Sequence, residues 1–156
     1  MSAAVSQSAG NTSLVGQRWV GRDDRHHRQP GQASKHTEPE LLVRRELHRL
    51  GFRFRLHRRD LPGSPDLVLP RHRLCIFVNG CFWHRHSGCI RASIPKTNRL
   101  FWESKFEKNK ERDARAYSEL SLRGWRAVVI WECEARNPRR LQAALLRILP
   151  PGECSE

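Results

Sequence analysis

The sequence contains no apolar run approaching the ~20 residues that a membrane span needs. Its start is polar and lacks the apolar segment of a secretory leader. No basic amphipathic helix with an aromatic face stands out either, so a membrane surface ranks behind nucleic acid as a partner, and the expectation is a cytoplasmic protein with no membrane partner. No internal repeat is present, so solenoids and propellers are excluded. Acidic residues are scarce beside basic ones, 16 Asp plus Glu against 29 Lys plus Arg, for a formal charge of +13. That balance argues against acidic-tail or anionic-surface functions and for a polyanionic partner, nucleic acid first. The five cysteines are too few and odd in number for a disulfide framework. They suit a reducing compartment in which thiolates are free to hold metal. A chain of 156 residues is long enough for one domain with a real core.

Along the chain, residues 1–36 are rich in Ser, Gly, Gln, Asn, Arg and His and show no apolar periodicity. They read as a flexible basic arm. Thr37-Glu38-Pro39-Glu40 carries the signature of a helix start: Thr37 as cap, Pro39 in the first turn and Glu40 placed as in a capping box. Val43, Leu47 and Leu50 follow as an inward stripe, and Gly51 ends the helix. Phe52, Phe54 and Leu56 alternate with Arg53, Arg55 and His57, which predicts a half-exposed strand with a basic outer row. After the turn Leu61-Pro62-Gly63-Ser64-Pro65 come two strands, 66–69 and 71–79, whose short link predicts an antiparallel hairpin. A long basic helix is expected over 98–123, then a strand over Arg126–Trp131 returning parallel to the third. A last helix opens at Pro138, with Leu141, Leu145 and Ile148 or Leu149 facing inward. The domain spans 37–149, and 150–156 form a loose tail.

The stretch Cys75–Cys89 organises the rest. It begins as a buried strand, breaks at Asn79-Gly80, and then brings Cys81, His84, His86 and Cys89 within nine residues. The remote Cys133 is a candidate fourth group for a tetrahedral zinc site, since zinc favours thiolate and imidazole. The plain alternative is core cysteines and surface histidines. Cys75 reads as a buried small apolar residue, and Cys154 has no evident role. Phe82 and Trp83 are adjacent, so both cannot face one core. Either Trp83 caps the core or the pair forms a wedge for a base stack.

Asp66 begins a strand directly after a turn and lies close in the hairpin to Val78-Asn79-Gly80 and His84. A carboxylate beside loop carbonyls can hold Mg²⁺, which polarises a phosphodiester and activates water, while an imidazole moves a proton. Against this, Pro-Asp pairs are common in turns. Glu40 can approach from the first helix, although the capping box accounts for it equally well.

Several segments together resemble the very short patch repair endonucleases, of the PD-(D/E)XK nuclease class. They are Thr37–Glu40, Leu61–Asp66, Ile76–His84, Phe101-Trp102 with Lys105, Asn109 and Arg112-Asp113, and Gly124-Trp125-Arg126 with Trp131-Glu132-Cys133. The resemblance covers residues 37 to about 136. It implies an α/β fold of that class, with a central mixed sheet flanked by helices and a structural zinc site. It implies a bacterial enzyme that nicks duplex DNA beside the thymine of a T:G mismatch left by deamination of 5-methylcytosine. The partners implied are double-stranded DNA and, functionally, a cytosine-5 DNA methyltransferase and repair proteins, with the enzyme a monomer at the nucleoid. Carried over residue by residue, Asp66 and the Val78 carbonyl would bind Mg²⁺, His84 would transfer protons, and Glu40 would support them. Cys81, His86, Cys89 and Cys133 would hold Zn²⁺. Phe82, Trp83 and Trp102 would form an aromatic wedge, and Lys105, Asn109 and Arg112 would face phosphates. The chain departs from the family pattern at Val78, where better-known members have Thr, and at Asn79, where they have His. It also has one extra residue between His86 and Cys89, and its arm lacks a Met-containing segment. Two other outcomes stand beside the mismatch enzyme: a related nuclease of different specificity linked to restriction–modification, or a DNA-binding module without catalysis.

Overall fold

A computed structural model describes residues 36–149. The expected arm and tail lie outside the described residues, His36 excepted. Among the described residues the elements run α1 (Glu38–Arg49), β1 (Arg55–Leu56), β2 (Leu67–Leu69), β3 (Leu74–Asn79), α2 (Arg99–Leu122), β4 (Arg126–Trp131), α3 (Glu132–Ala135) and α4 (Pro138–Ile148). The strands make one sheet in the order β1-β2-β3-β4. The first three pair antiparallel, and β4 joins β3 in parallel after the α2 crossover. The hairpin and the parallel return both match the sequence reading. A single turn of 3₁₀ helix, Pro70–His72, makes the hairpin link.

The pleat sorts the core into two layers. Leu67, Leu69, Leu74, Ile76 and Ile130 pack on one face against Val43 and Leu47 of α1, Ala135 of α3, and Leu141 and Leu145 of α4. Val68, Cys75 and Phe77 point the other way, toward Leu120 and Tyr117 of α2. Alternation along β2 and β3 thus makes a helix–sheet–helix sandwich. Each fully buried Leu or Ile contributes about 1.5–3 kcal/mol relative to exposure.

Helix boundaries follow local chemistry. α1 and α2 close with Schellman bonds: Phe52 N to Leu47 O (2.9 Å) with Gly51 N to His48 O (3.0 Å), and Trp125 N to Leu120 O with Gly124 N to Ser121 O (both 2.9 Å). Arg126 N then donates to Arg73 O at 2.7 Å, which starts β4 in register with β3. The Asn137 side chain caps α4 by accepting from Arg140 N, with Pro138 in the first turn.

Two expectations are revised. The strand read over Phe52–Leu56 contracts to Arg55–Leu56, with both residues exposed. Phe52 is drawn under the end of α1 and against His72, and Phe54 packs on His48, so neither is free to pair. At the start of α1, Thr37 makes no side-chain cap to the backbone. Its hydroxyl instead donates to Glu40 Oε1 (3.0 Å), and Glu40 Oε2 accepts from His36 N (3.1 Å). The box is therefore formed by the glutamate alone, one residue earlier than the pattern predicts.

Gly63, in the turn that delivers Asp66, has φ +73°, and a Cβ there would stand 2.7 Å from Ala116 Cβ and 3.2 Å from the Phe77 ring. Gly63→Ala combines left-handed backbone strain with a clash against α2, together worth roughly 1–3 kcal/mol. We expect a Tm lowered by several degrees, measured by thermal denaturation. An unchanged Tm would mean that the turn repacks freely.

Candidate active site

The site lies where β2 begins and β3 ends. Asp66 Oδ2 accepts from Val78 N at 2.7 Å. Within a strand, the N–H and C=O of one residue leave the same edge. The Val78 carbonyl is therefore directed to the side from which the Asp66 carboxylate approaches. Burial is the largest influence on Asp66 and pushes its pKa up to about 6. The Val78 N–H pulls it down, the Glu40 charge pushes it up, and Arg44 and His84 pull it down.

Glu40 is buried on α1 and bonded to Arg44 Nη2 at 2.9 Å. The same Nη2 lies 3.1 Å from His57 Nε2, and Arg44 Nη1 lies 2.8 Å from His36 Nδ1. Glu40, His57 and Asp66 each bring one donor atom to within 4.8 Å of the others. His57 N also donates to Asp66 O at 3.2 Å, in a residue with φ +46° that ends β1. Arg44 and His57 had no role in the sequence reading. The alternation over 52–57 places His57 in the outer row of a strand, and only the long-range return of β2 brings it inward.

On the other side, His84 Nδ1 is hydrogen-bonded to Asp113 Oδ2 of α2. A carboxylate accepts, so Nδ1 carries a proton, and in the neutral ring this leaves the lone pair on Nε2. Asp113 is another partner that the sequence reading left without a role. Its signal lies in α2 itself. Asn109, Asp113 and Tyr117 recur every four residues on one helix face. Asn109 Nδ2 donates to Trp83 O (3.1 Å), Asp113 meets His84, and Tyr117 Oη accepts from Asn79 Nδ2 (3.2 Å). One helix face thus holds the whole exit of β3. Asn109, expected to face phosphate, has its amide engaged with the loop.

Between Gly80 and Ala92 the chain brings Cys81, His86 and Cys89 to Cys133, which α3 presents. The four donor atoms lie within 4.8 Å of one another. His86 Nδ1 is 3.7 Å from Cys81 Sγ and 3.4 Å from Cys133 Sγ. Tetrahedral bonds of about 2.3 Å to sulfur and 2.0–2.1 Å to nitrogen set ligand pairs about 3.5–3.8 Å apart. The donor set and its spacing fit zinc. His86 stacks on Trp131 at 4.3 Å and 9°, which fixes its ring. His84 is not among these four donors; its Nδ1 is bonded to Asp113 instead. Burial pushes the Cys81 thiol up to about 12, whereas a backbone hydrogen bond from Arg91 holds Cys89 below its usual range.

The aromatic residues gather beside the loop. The Phe82 ring lies 5.1, 5.4 and 5.2 Å from Trp83, Trp102 and Phe106. Phe106 is buried, while Trp83 and Trp102 are half-buried. Phe82 is half-buried like the two tryptophans, and buried Phe106 ties the group to α2. Lys105 Nζ sits 5.3 Å above the Phe101 ring, and Arg112 is exposed, 3.6 Å from Asp113.

A four-stranded mixed sheet between helices, with a carboxylate at the start of one strand and an imidazole after the next, fits a nuclease fold. The sequence comparisons narrow the class. The family model for the DNA mismatch endonuclease Vsr matches residues 21–91. The type II nicking enzyme V.XorIIP of Xanthomonas oryzae pv. oryzae is 50% identical over 119 residues, covering 76% of this chain and 87% of that protein. The type II nicking enzyme V.NmeAIP of Neisseria meningitidis is 42% identical over 116 residues, 74% of this chain and 82% of its own. The DNA mismatch endonuclease Vsr of Escherichia coli is 39% identical over 125 residues, 80% of each chain. The chain belongs to the Vsr family of endonucleases.

The raised Asp66 pKa has a consequence for the chain without a cation at Asp66. The folded chain holds this proton more tightly than the unfolded chain, whose carboxyl titrates near its ordinary 3.8. Ionisation therefore costs stability above about 6, and the cost fades as pH falls toward 4. Asp66→Asn should raise the Tm of the zinc-loaded, Mg²⁺-free chain at pH 8, by a gain on the order of 1–3 kcal/mol. That gain should shrink to nothing near pH 4. A Tm difference independent of pH would mean that Asp66 titrates normally.

Proposed function

We propose that the protein is a Mg²⁺-dependent, zinc-stabilised endonuclease that nicks duplex DNA beside the thymine of a T:G mismatch, in very short patch repair of deaminated 5-methylcytosine. The observation that carries this reading is the convergence, at one end of the sheet, of the Asp66–Val78 clip and the His84–Asp113 pair, next to the Phe82–Trp83–Trp102 group. Asp66 and the Val78 carbonyl hold Mg²⁺. One carboxylate plus a carbonyl is the oxygen set, completed by waters, that this ion accepts. When bound, Mg²⁺ offsets charge on the phosphodiester and lowers the pKa of its water. His84 exchanges a proton at Nε2, and Asp113 holds its ring in that tautomer. Glu40 supports the site by fixing Arg44. Asn79 contributes no second imidazole; it bonds to Tyr117 and stiffens the strand end.

Cys81, His86, Cys89 and Cys133 hold a structural Zn²⁺ that ties the loop to α3. Trp83 and Trp102, backed by Phe82, enter the stack at the mismatch. A mismatched pair opens at lower cost, so the wedge turns weak pairing into selectivity. Lys105 and Arg112 face phosphates, and Asn109 keeps the Trp83 backbone in place. The enzyme works as a monomer in the bacterial cytoplasm, on nucleoid DNA, in functional partnership with a cytosine-5 methyltransferase and repair proteins. No helix of the described residues is long and apolar enough to cross a membrane. A second reading, a nicking enzyme of different specificity tied to restriction–modification, is favoured by the relatives described as type II nicking enzymes.

Nicking assays with Mg²⁺ on T:G and C:G duplexes separate these readings. Asp66→Ala should abolish nicking while leaving mismatch binding nearly intact. Trp83→Ala should lower T:G preference about tenfold or more, from stacking of about 1–3 kcal/mol per base. Full discrimination in Trp83→Ala would reduce Trp83 to loop packing, and cutting by Asp66→Ala would move the metal centre elsewhere. Equal cutting of T:G and C:G by the wild type would favour the second reading.

The zinc assignment has its own test. Cys133→Ser should release the metal and unfold much of the domain, because structural zinc contributes roughly 10–16 kcal/mol of apparent binding energy in small modules. Metal content and Tm unchanged in that variant would rule out the site.

A further inference from the structure

We propose that Arg44 occupies a cation seat between Glu40 and His57, so that the chain carries a fixed positive charge where an additional divalent ion would otherwise bind. The inference rests on the proposed metal centre at Asp66 for its meaning, but its test does not require that centre to exist. The geometry is that of a metal site with a guanidinium in it. A single nitrogen, Arg44 Nη2, contacts both Glu40 Oε2 (2.9 Å) and His57 Nε2 (3.1 Å). Those two acceptors lie 3.9 Å apart, and Glu40, His57 and Asp66 each offer a donor atom within 4.8 Å of the others. Donors about 2.1 Å from one octahedral ion stand roughly 3.0 Å apart when adjacent and 4.2 Å when opposite. The Glu40–His57 spacing falls within that range.

The chemistry of the donors agrees. A guanidinium only donates, so His57 must turn a lone pair toward Nη2, as it would toward a metal. Two carboxylates and an imidazole suit Mn²⁺, which accepts a nitrogen ligand more readily than Mg²⁺. Arg44 is itself an unfavourable tenant. It is 8% exposed, and its Nε has no hydrogen-bond partner among the described residues. A buried cation with an unmet N–H costs stability unless charge compensates it. Glu40 supplies that charge directly, and Asp66 adds to it from the site. Arg44 also reaches His36 Nδ1 at 2.8 Å, which helps to hold the head group in place. With the guanidinium fixed there, an ion at Asp66 and Val78 has no room for a companion on the Glu40 side, and repulsion discourages one.

The test counts Mn²⁺ bound to the full zinc-loaded chain, from the loss of the free-ion electron paramagnetic resonance signal. Arg44→Met should bind one more Mn²⁺ per chain than the wild type. Arg44→Lys, which keeps the cation, should not. The gain should vanish in Arg44→Met with His57→Ala. Zinc-loaded Arg44→Met should also melt lower than wild type without Mn²⁺ and recover more of its Tm than the wild type when Mn²⁺ is added. If Arg44→Met does not fold, Arg44→Gln gives the same count with a hydrogen-bonding neutral side chain. Equal stoichiometry in wild type and the neutral variants, or a gain that survives loss of His57, would overturn the inference. A wild type that binds no Mn²⁺ or Mg²⁺ would instead refute the Asp66 metal centre, while the difference between the variants would still decide the role of Arg44.

Discussion

The hydrogen bond from Val78 N to Asp66 Oδ2 is made where β2 and β3 stop pairing through the backbone. A carboxylate takes over there from a ladder carbonyl. It therefore inherits the precision of the sheet rather than the freedom of a loop side chain. The Val78 carbonyl leaves the same edge, so an acid and a carbonyl oxygen share one small region without any further residue being arranged. The burial that secures this geometry also opposes the carboxylate charge. Asp66 is thus held rigidly in an environment that favours either a proton or a cation beside it.

The rest of the site is assembled by one face of α2. Trp102, Phe106, Asn109, Asp113 and Tyr117 succeed one another along that face and meet, in turn, the aromatic loop, the Trp83 carbonyl, the His84 ring and the Asn79 amide. The loop after β3 is short of regular structure, yet it is tied along this helix on one side and gathered toward Cys133 on the other. Asn79, which differs from the family pattern, is absorbed by the same device: its amide engages a tyrosine one helical turn beyond Asp113.

Much of the fold was legible because period and punctuation agreed. The apolar runs of β2 and β3 with their bounding turns, the stripe of α1, the glycines after both long helices and Pro138 all pointed to the observed elements. The convergence of Cys81, His86 and Cys89 with Cys133 follows the residues named from the family resemblance. What could not be read was set by long-range geometry. Phe52 and Phe54 alternate like strand residues but are captured by His72 and His48, so β1 shrinks to a pair. His57 and Arg44 look like members of a solvated basic face; their inward turn depends on β1 and α1 meeting at Glu40. Asp113 stood in a quoted motif without a role, because a helix stripe of mixed polar residues shows its purpose only when the opposing loop is known. The short α3 was hidden for a different reason: four residues are too few to display a helical period.

The two-residue length of β1 matters beyond its own pairing. It forms one border of the sheet, both its side chains are exposed, and Arg53, Arg58 and Arg59 flank it. An incoming strand would find few unpaired backbone groups and a concentration of like charge. Crowded copies of so basic a chain, gathered along a polyanion, are thereby discouraged from joining border to border into extended sheets. The same shortening that cost the protein a regular strand protects it from aggregation through that border.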